Sequence, residues 1–590
     1  MRKILFCLIT AAASVGTNAQ ISLTATAGTA IGTYTTLKAA FDAINGGLHQ
    51  GAITINVTGN TTETASAVLN GNGSGNSNYA SVLIKPAAGV NATISSADTV
   101  ATIKLNGADN VTIDGSNNGS SSRNLTITNT YTTGGSPVII WVASTATDGA
   151  LNATFKNTNI YGANSSGTIV GIIVSGSTLG AAAEVSNNNF SSINNSFNKA
   201  QNAIFAIGNA TNTDTGFMIK NNVIGSAVAT DKMGYRGLAV QNAKNFEISG
   251  NVIAGVTLGS TATAAGILVG AAATNGLIFN NKISDVSNTN TAGYGAAGLY
   301  LSCTGTASNM LVYNNTINGV SGYGYALGGG ASDNGNGIII VSGGGYRIYY
   351  NTVVMDANQT VAGRPSAFNV TSGVTAVGAI DLRNNIFVNK QTQTGDRYAI
   401  YAGTADTVFS NMNYNNYFSS GTALGYIGAI ARTTLGELQL GFGGNVNSLN
   451  VSPVFVSATD FHLAASGNAA LDNKGTFVAD VTVDADGITR NAITPDLGSY
   501  EFISIVLATQ DVAAKTKLNY YPNPVVDFIN ISNDTKINNV EVYSAAGQKL
   551  ANENINAEKG SVDMRALPSG IYVLKVNTEK GSQSIKVMKK

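Results

Sequence analysis

Charge, cysteine, histidine and long apolar runs are all scarce in this 590-residue sequence, and each scarcity removes a class of function. Charged residues make up 11% of the chain, with 32 Lys and Arg against 32 Asp and Glu. A chain of zero net charge lacks the basic surface that captures nucleic acid or an anionic membrane, so neither is an expected partner. The two cysteines are Cys7 and Cys303. Cys7 lies in a segment expected to be removed, and one remaining thiol cannot form an internal disulfide. Cys303 therefore reads as a small buried hydrophobe. Only two histidines exist, neither near Cys303 in sequence, which leaves that thiol without an obvious base. The apolar run ILFCLITAAASV (4–15) is too short to span a bilayer, and no later run is long enough.

Glycine is abundant, at 68 residues, and Asn, Ser and Thr are frequent, which suggests many turns. Hydrophobic residues still make up 44%, enough for a large core and too many for a disordered chain.

The organising feature is a short pattern repeated nine times: apolar, any residue, two Asn-like residues, any residue, apolar. The copies are FKNTNI (155–160), VSNNNF (185–190), IKNNVI (219–224), ISGNVI (248–253), IFNNKI (278–283), VYNNTI (312–317), IYYNTV (348–353), LRNNIF (382–387) and NYNNYF (413–418). Their closing apolar residues lie 29 to 36 positions apart, a period that signals stacked coils. The apolar ends should point inward from neighbouring strands, and the Asn pair should make the bend between them. Asn tolerates the left-handed backbone at low cost, and its amide can bond the turn. Stacking should align the second Asn of each pair into a structural ladder: Asn188, Asn222, Asn251, Asn281, Asn315, Asn351, Asn385 and Asn416, with Thr158 in the first copy.

A second strand recurs before each pattern, as in GIIVS (171–175), GLAVQ (237–241), GILVG (266–270) and GIIIV (337–341). Two or three short strands per coil describe a parallel β-helix. About fourteen coils spaced at about 4.8 Å would make a rod of roughly 65 Å. The open end of such a stack needs a cap. Residues 36–44 can form one as a helix, with Leu37, Phe41 and Ile44 on one face.

The segments TLKAAFDAINGG, ADNVTIDG, PVFVSATDFHLAASGNAALDNKGT (453–476) and PDLGSYEF (495–502) resemble secreted right-handed parallel β-helix proteins of the pectate-lyase-like superfamily. The resemblance spans about residues 25–503. It implies an all-β, right-handed solenoid with an N-terminal capping helix, and it places His462 in a packing role in the terminal coil. It also implies possible action on acidic polysaccharides. Such chemistry needs carboxylates that hold calcium beside a basic residue, or paired carboxylates at a set separation. Asp285, Asp333, Asp356 and Asp381 are scattered in phase, and no Asp trio faces Arg347, Arg364 or Arg383 at a common repeat position. Asp480, Asp484 and Asp486 form the densest carboxylate cluster, but they lack the ligand spacing of a calcium loop and read as a turn. No cofactor is expected, and calcium at that cluster is the one alternative. The Gly runs at 328–330 and 343–345 read as loops.

The two ends carry address signals. Arg2 and Lys3, the apolar run, and small residues at Thr17 and Ala19 predict a secretory signal over 1–19, cleaved between Ala19 and Gln20. From residue 519 the repeat stops, charge density rises, and short alternating strands appear at 540–544, 561–564, 570–576 and 584–589, which predicts a small antiparallel sandwich. The motifs Tyr521-Pro522-Asn523-Pro524, SAAGQKL around Gly547, and LPSGIYVLKV around Gly570 and Tyr572, with a basic end at 586–590, resemble the type A C-terminal sorting domain of the Bacteroidota type IX secretion system. That resemblance implies the type IX machinery as partner of residues 519–590, and a secreted, extracellular or outer-surface location. The expected organisation is signal 1–19, β-helix 20–503, linker 504–518 and sorting domain 519–590.

One further regularity points to a ligand. The second position of the repeat should face outward. In successive copies it holds Phe279, Tyr313, Tyr349, Arg383 and Tyr414, with Tyr323, Tyr325 and Tyr346 on nearby loops. Exposed aromatic faces bind sugar rings, while aromatics stacked coil on coil, or lying under a loop, only stabilise. The sequence thus predicts a secreted or cell-surface, glycan-binding or adhesin-like protein without catalysis. The alternatives are a lyase or hydrolase of uronic-acid-containing polysaccharide, and a passive spacer rod.

Overall fold

A computed structural model describes residues 19–324, 333–504 and 518–590. The signal segment 1–18, Tyr325, the Gly run 328–330 and most of the linker lie outside the described residues. The chain divides into two compact units, 1–505 and 506–590.

The first unit is a parallel β-helix built from three sheets. One coil runs through Thr274–Phe279 in the first sheet, Lys282–Asn288 in the second and Ala296–Cys303 in the third. Each strand pairs in parallel with its counterpart one coil on, as Ile278 does with Val312 and Ile283 with Ile317. Alternation sends Ile248, Ile278, Val312, Ile348 and Leu382 inward, where all are fully buried. Twelve coils stack among the described residues, from His49–Asn70 to Phe409–Ile427. At about 4.8 Å per step this is a rod of roughly 53 Å, shorter than the fourteen coils expected.

The difference lies at the two ends. Ile21–Gly28 and Ile31–Tyr34 pair antiparallel ahead of the first coil. Helix Leu37–Asn45 follows, with Thr36 as N-cap and Leu37, Ala40, Phe41 and Ile44 buried. The Glu63 carboxylate accepts hydrogen bonds from the Leu37 and Lys38 backbone N–H groups at 3.0 and 2.8 Å, which ties down the helix start. At the other end, the short helix Leu435–Phe442 is followed by Ser448 and Leu449, which still ride on the last coil, with Leu449 paired in parallel to Asn416. The chain then leaves the stack. Phe461, Leu463, Leu471 and Leu497 pack instead on Val354, Ile386 and Val388, outward residues of the second sheet.

The bend between first and second sheets follows the predicted chemistry. The first residue of each pair takes the left-handed conformation, as at Asn194 (φ 54°), Asn221 (56°), Asn280 (55°), Asn314 (55°) and Asn384 (62°). The second forms a buried ladder, in which Asn281 Nδ2 donates to Asn315 Oδ1 and Asn315 Nδ2 to Asn351 Oδ1, both at 2.9 Å. Thr158 begins it, donating through N and Oγ1 to Asn195 Oδ1. Two expected members are corrected. Asn195, not Asn188, fills the second rung, because Ser191–Ile193 is the strand that pairs with Thr154–Lys156. Asn415, not Asn416, fills the last Asn rung, because Met412 pairs with Leu382. Ser448 Oγ accepts from the Asn415 backbone and ends the ladder.

The second unit is one antiparallel sheet of five strands around its own apolar core, including Ile529, Val540, Val562, Leu574 and Val587. Its strands are Asn519–Tyr521, Phe528–Ser544, Lys549–Asp563, Gly570–Thr578 and Gly581–Lys589, longer than the fragments visible in sequence. Asn523 bonds the last strand twice, donating to Lys586 O at 3.0 Å and accepting from Met588 N at 2.8 Å. Gly547 takes φ 81° in the turn between the two long strands. Tyr572 Oη donates to Pro568 O at 2.7 Å.

Candidate functional site

The outward face of the first sheet carries two columns of side chains. One holds Glu247, Leu277, Leu311, Arg347 and Asp381; the other holds Ser249, Phe279, Tyr313, Tyr349 and Arg383, each paired with its neighbour one rung away. Four of the five predicted strip residues are therefore together. Tyr414 is corrected: Asn413 pairs with Arg383, and Tyr414 sits in the left-handed bend position (φ 55°), packed beside Phe418 and Leu449. The same slip that moved the ladder to Asn415 moved Tyr414 off the strip. Tyr346, expected in a loop, is a buried residue of strand Tyr346–Tyr349.

The strip is not uniformly open. Phe279 and Tyr313 are half-buried and stacked, with centroids 4.7 Å apart and planes 7° from parallel. Tyr349 is 2% exposed. Its hydroxyl donates to Asp381 Oδ2 at 2.7 Å and accepts from Arg383 Nη2 at 3.0 Å, while Arg383 grips both Asp381 oxygens at 2.8 Å. Burial pushes the Tyr349 hydroxyl up to about 12, with Asp381 adding to it, and burial likewise takes Tyr313 to about 12. Burial opposes the Arg383 charge, but the Asp381 contact outweighs it and holds the proton more firmly than usual.

The cover over Tyr349 comes from far along the chain. Val478 and Val481 pack on Leu311, Tyr349 and Tyr350. Thr476 O accepts from Tyr350 Oη and Asn384 Nδ2, both at 2.8 Å. Arg490 lies 3.8 Å over the Tyr350 ring and donates to Asn314 Oδ1 at 2.8 Å. Asp480 pairs with Arg347 at 2.5 Å, Asp486 with His462 at 2.7 Å, and buried Asp484 accepts from the backbone of Asp486, Ile488 and Glu501. Each carboxylate of the suspected calcium cluster thus has a protein partner. Among the described residues no group of three His, Cys, Asp or Glu is arranged to hold a metal ion. His462 itself sits between Asp460 and Asp486 and stacks on Tyr500. Buried Cys303 has its thiol pushed up by burial, away from the thiolate a nucleophile needs.

Sequence reasoning missed a second, exposed amide ladder, at or just before the start of the first-sheet strands. Asn152 Nδ2 donates to Asn110 Oδ1 (2.8 Å), Asn189 to Asn152 (2.9 Å), Asn275 to Asn245 (3.0 Å) and Asn309 to Asn275 (2.9 Å), and Arg347 Nη2 caps Asn309 Oδ1 (3.0 Å). All six asparagines of these links, from Asn110 to Asn309, have φ of 52° to 59°. The signal was present: an Asn precedes the inward apolar residue by three at Asn110–Ile113, Asn152–Phe155, Asn245–Ile248, Asn275–Ile278 and Asn309–Val312. Between this ladder and the open part of the sheet lies a groove of about 470 Å³, lined by Gly216, Met218, Asn245, Glu247, Leu277 and Arg347 among others. Glu247 is paired with Lys220 at 3.0 Å and accepts from Ser249 Oγ at 2.7 Å. The groove thus combines an apolar floor, a wall of amides at one-rung spacing, and charges that are already matched.

Among solved structures the chain is similar to the periplasmic alginate epimerase AlgG, at 14% identity over 66% of this chain and 85% of that one, with a TM-score of 0.29. It is also similar to the enzymatically active domain of tailspike protein 2 of bacteriophage CBA120, at 10% identity over 94% of this chain and 67% of that one, with a TM-score of 0.30. At these TM-scores the likeness assigns no residue or activity to this chain. A search of curated proteins returns no match. Among the described residues no helix is long and apolar enough to cross a membrane. Residues 519–590 match the family described as the secretion system C-terminal sorting domain. The Asn523 contacts, the Gly547 turn and the Tyr572 bond described above all fall inside that match. The chain therefore carries, at 519–590, a type IX sorting domain that directs it through that secretion machinery to the cell surface or the extracellular space.

Proposed function

We propose that the protein is a glycan-binding, adhesin-like solenoid without catalysis, which takes an extended sugar polymer along the outward face of its first sheet. The observation that carries this reading is the exposed amide ladder beside the apolar groove floor. Amides repeated at one-rung spacing suit a polymer of repeated hydroxyls, and Leu277 with the Phe279 face turned toward Ser249 supplies apolar contact for sugar rings. Tyr313 stacks on the other face of Phe279. On the same reading the coil is right-handed, helix Leu37–Asn45 caps its first end, the C-terminal sheet folds on itself as a sandwich, and the leader is cleaved after Ala19.

The test is affinity electrophoresis of the full chain through gels containing neutral, amino-sugar or uronic-acid polysaccharides. Retardation in at least one gel is expected, weakened about tenfold or more by the pair Asn275→Ala and Leu277→Ala with little change in Tm. Absence of retardation in every gel overturns the binding reading. Release of reducing ends or unsaturated products above a heat-killed control overturns the non-catalytic one.

A further inference from the structure

The exposed amide ladder is interrupted once, and the interruption lies in the groove. On the rung between Asn189 and Asn245 the left-handed position is held by Gly216 (φ 75°), which has no side chain to carry the ladder on. Among the described residues Asn189 Oδ1 accepts no hydrogen bond, although Asn189 Nδ2 is engaged with Asn152. On the other side Asn245 Nδ2 reaches only Thr215 Oγ1, at 3.4 Å. An acceptor and a donor thus flank the break, one rung to each side. Beside it stand the exposed side chains of Met218 (37%) and Leu277 (39%). The charged groups of the lining, Glu247 and Arg347, are paired with Lys220 and Asp480.

Resting on the reading of this groove as a glycan site, we propose that the break at Gly216 recognises the acetamido group of an N-acetylated amino sugar within the polymer. An acetamido group is the same chemical unit as an Asn side-chain amide. Its N–H can donate to Asn189 Oδ1, its C=O can accept from Asn245 Nδ2, and its methyl can rest on Met218 and Leu277. The ligand amide then takes the part that an asparagine plays on the other rungs. A hydroxyl is shorter and brings no methyl group. A uronate carboxylate cannot donate to Asn189 Oδ1, and both lining charges are already matched, so the break favours the neutral amide over either.

Isothermal titration of the full chain with four hexasaccharides tests this: β-1,4-linked N-acetylglucosamine, its deacetylated counterpart, β-1,4-linked glucose and a β-1,4-linked uronate. The acetylated hexamer is expected to bind at least tenfold more tightly than the other three. Gly216→Asn fills the break with a residue that tolerates this backbone, but its Cβ would crowd Asn189 Oδ1 and turn that amide aside. It should therefore lower that affinity tenfold or more, with Tm measured alongside to record the cost of the shift. Asn245→Ala removes the flanking donor and should weaken the same ligand without touching Gly216. Equal affinity for the acetylated and glucose hexamers, or undiminished binding by both variants, overturns the acetamido assignment and leaves the groove reading standing. No binding of any hexamer, together with no retardation by any polysaccharide, overturns both.

Discussion

Phe279 and Tyr313 stack one rung apart with planes 7° from parallel, so each ring hides one of the other's faces from solvent. Rings that lie across the rod axis in this way join coil to coil and present mainly their edges outward. The other face of Phe279 is turned toward Ser249, which carries no ring.

A double-mutant cycle on Phe279→Ala and Tyr313→Ala measures this joint. Each single variant is expected to lose about 1–2 kcal/mol, since both side chains are half-buried, with a coupling of about 0.5–1.5 kcal/mol in urea unfolding. Strict additivity would mean that the stack does not hold the coils together.

The buried ladder should be far more sensitive than the exposed one. Asn281 Oδ1 accepts from both the backbone N and Nδ2 of Asn251, and Asn281 Nδ2 donates to Ile248 O and Asn315 Oδ1. Asn281→Ala strands several buried polar groups at once and should lower stability by about 3–5 kcal/mol. Asn275→Ala, one ladder over and in water, should lose less than about 1 kcal/mol. Calorimetric Tm values for the pair give the comparison.

Asp214 makes stability depend on pH. It is fully buried, one carboxyl oxygen accepts from Asn187 N at 2.8 Å, and the other has no partner among the described residues. Burial raises it from 3.8 to about 7 despite the Asn187 bond. The folded chain then keeps a proton that the unfolded chain gives up between about pH 4 and 7. Stability falls as pH rises across that window, by on the order of 4 kcal/mol, and levels out above it. Asp214→Asn keeps the acceptor for Asn187 and should flatten this slope, so that the variant exceeds wild type at pH 8. Identical unfolding profiles at pH 5 and pH 8 in both proteins would refute the assignment.

His462 should slope the same way, from the opposite cause, because here ion pairing rather than burial raises the folded pKa. Burial lowers its pKa, but the bonds to Asp460 and Asp486 outweigh burial and raise it above 6.5. Its contribution is complete below the unfolded value and is lost as pH rises through the folded one. A proton NMR titration of the His462 ring should show a midpoint above 6.5 in wild type, moving down in Asp486→Asn. A wild-type midpoint at or below 6.5 would contradict the flanking ion pairs.

Most of the coil was legible because its rules are local. Alternation assigns Ile278 inward and Phe279 outward, and a left-handed bend every coil selects Asn. The failures share a cause. Residues 185–197 contain both VSNNNF and SINNSF, and 413–416 contain three Asn in four positions, so more than one register satisfies the local pattern. Pairing of Met412 with Leu382 on the neighbouring rung chose between them, and with that choice Tyr414 left the strip. The exposed ladder was legible too, as an Asn three residues ahead of each inward apolar side chain, but a single Asn in a turn carries less signal than a pair.

The sequence by itself determined the period, the stacked parallel coil, most rungs of the buried amide ladder and the sorting domain at 519–590, because each depends on residues close together in the chain. Tertiary structure alone decided what lies upon the coil. The cover over Tyr349 and the partner of Arg347 come from Val478, Asp480 and Val481, more than 120 residues away, and the break at Gly216 matters only because folding sets it beside Met218, Asn245 and Leu277. Local periodicity dictates which way a side chain points; only the packing of remote segments dictates what it meets there.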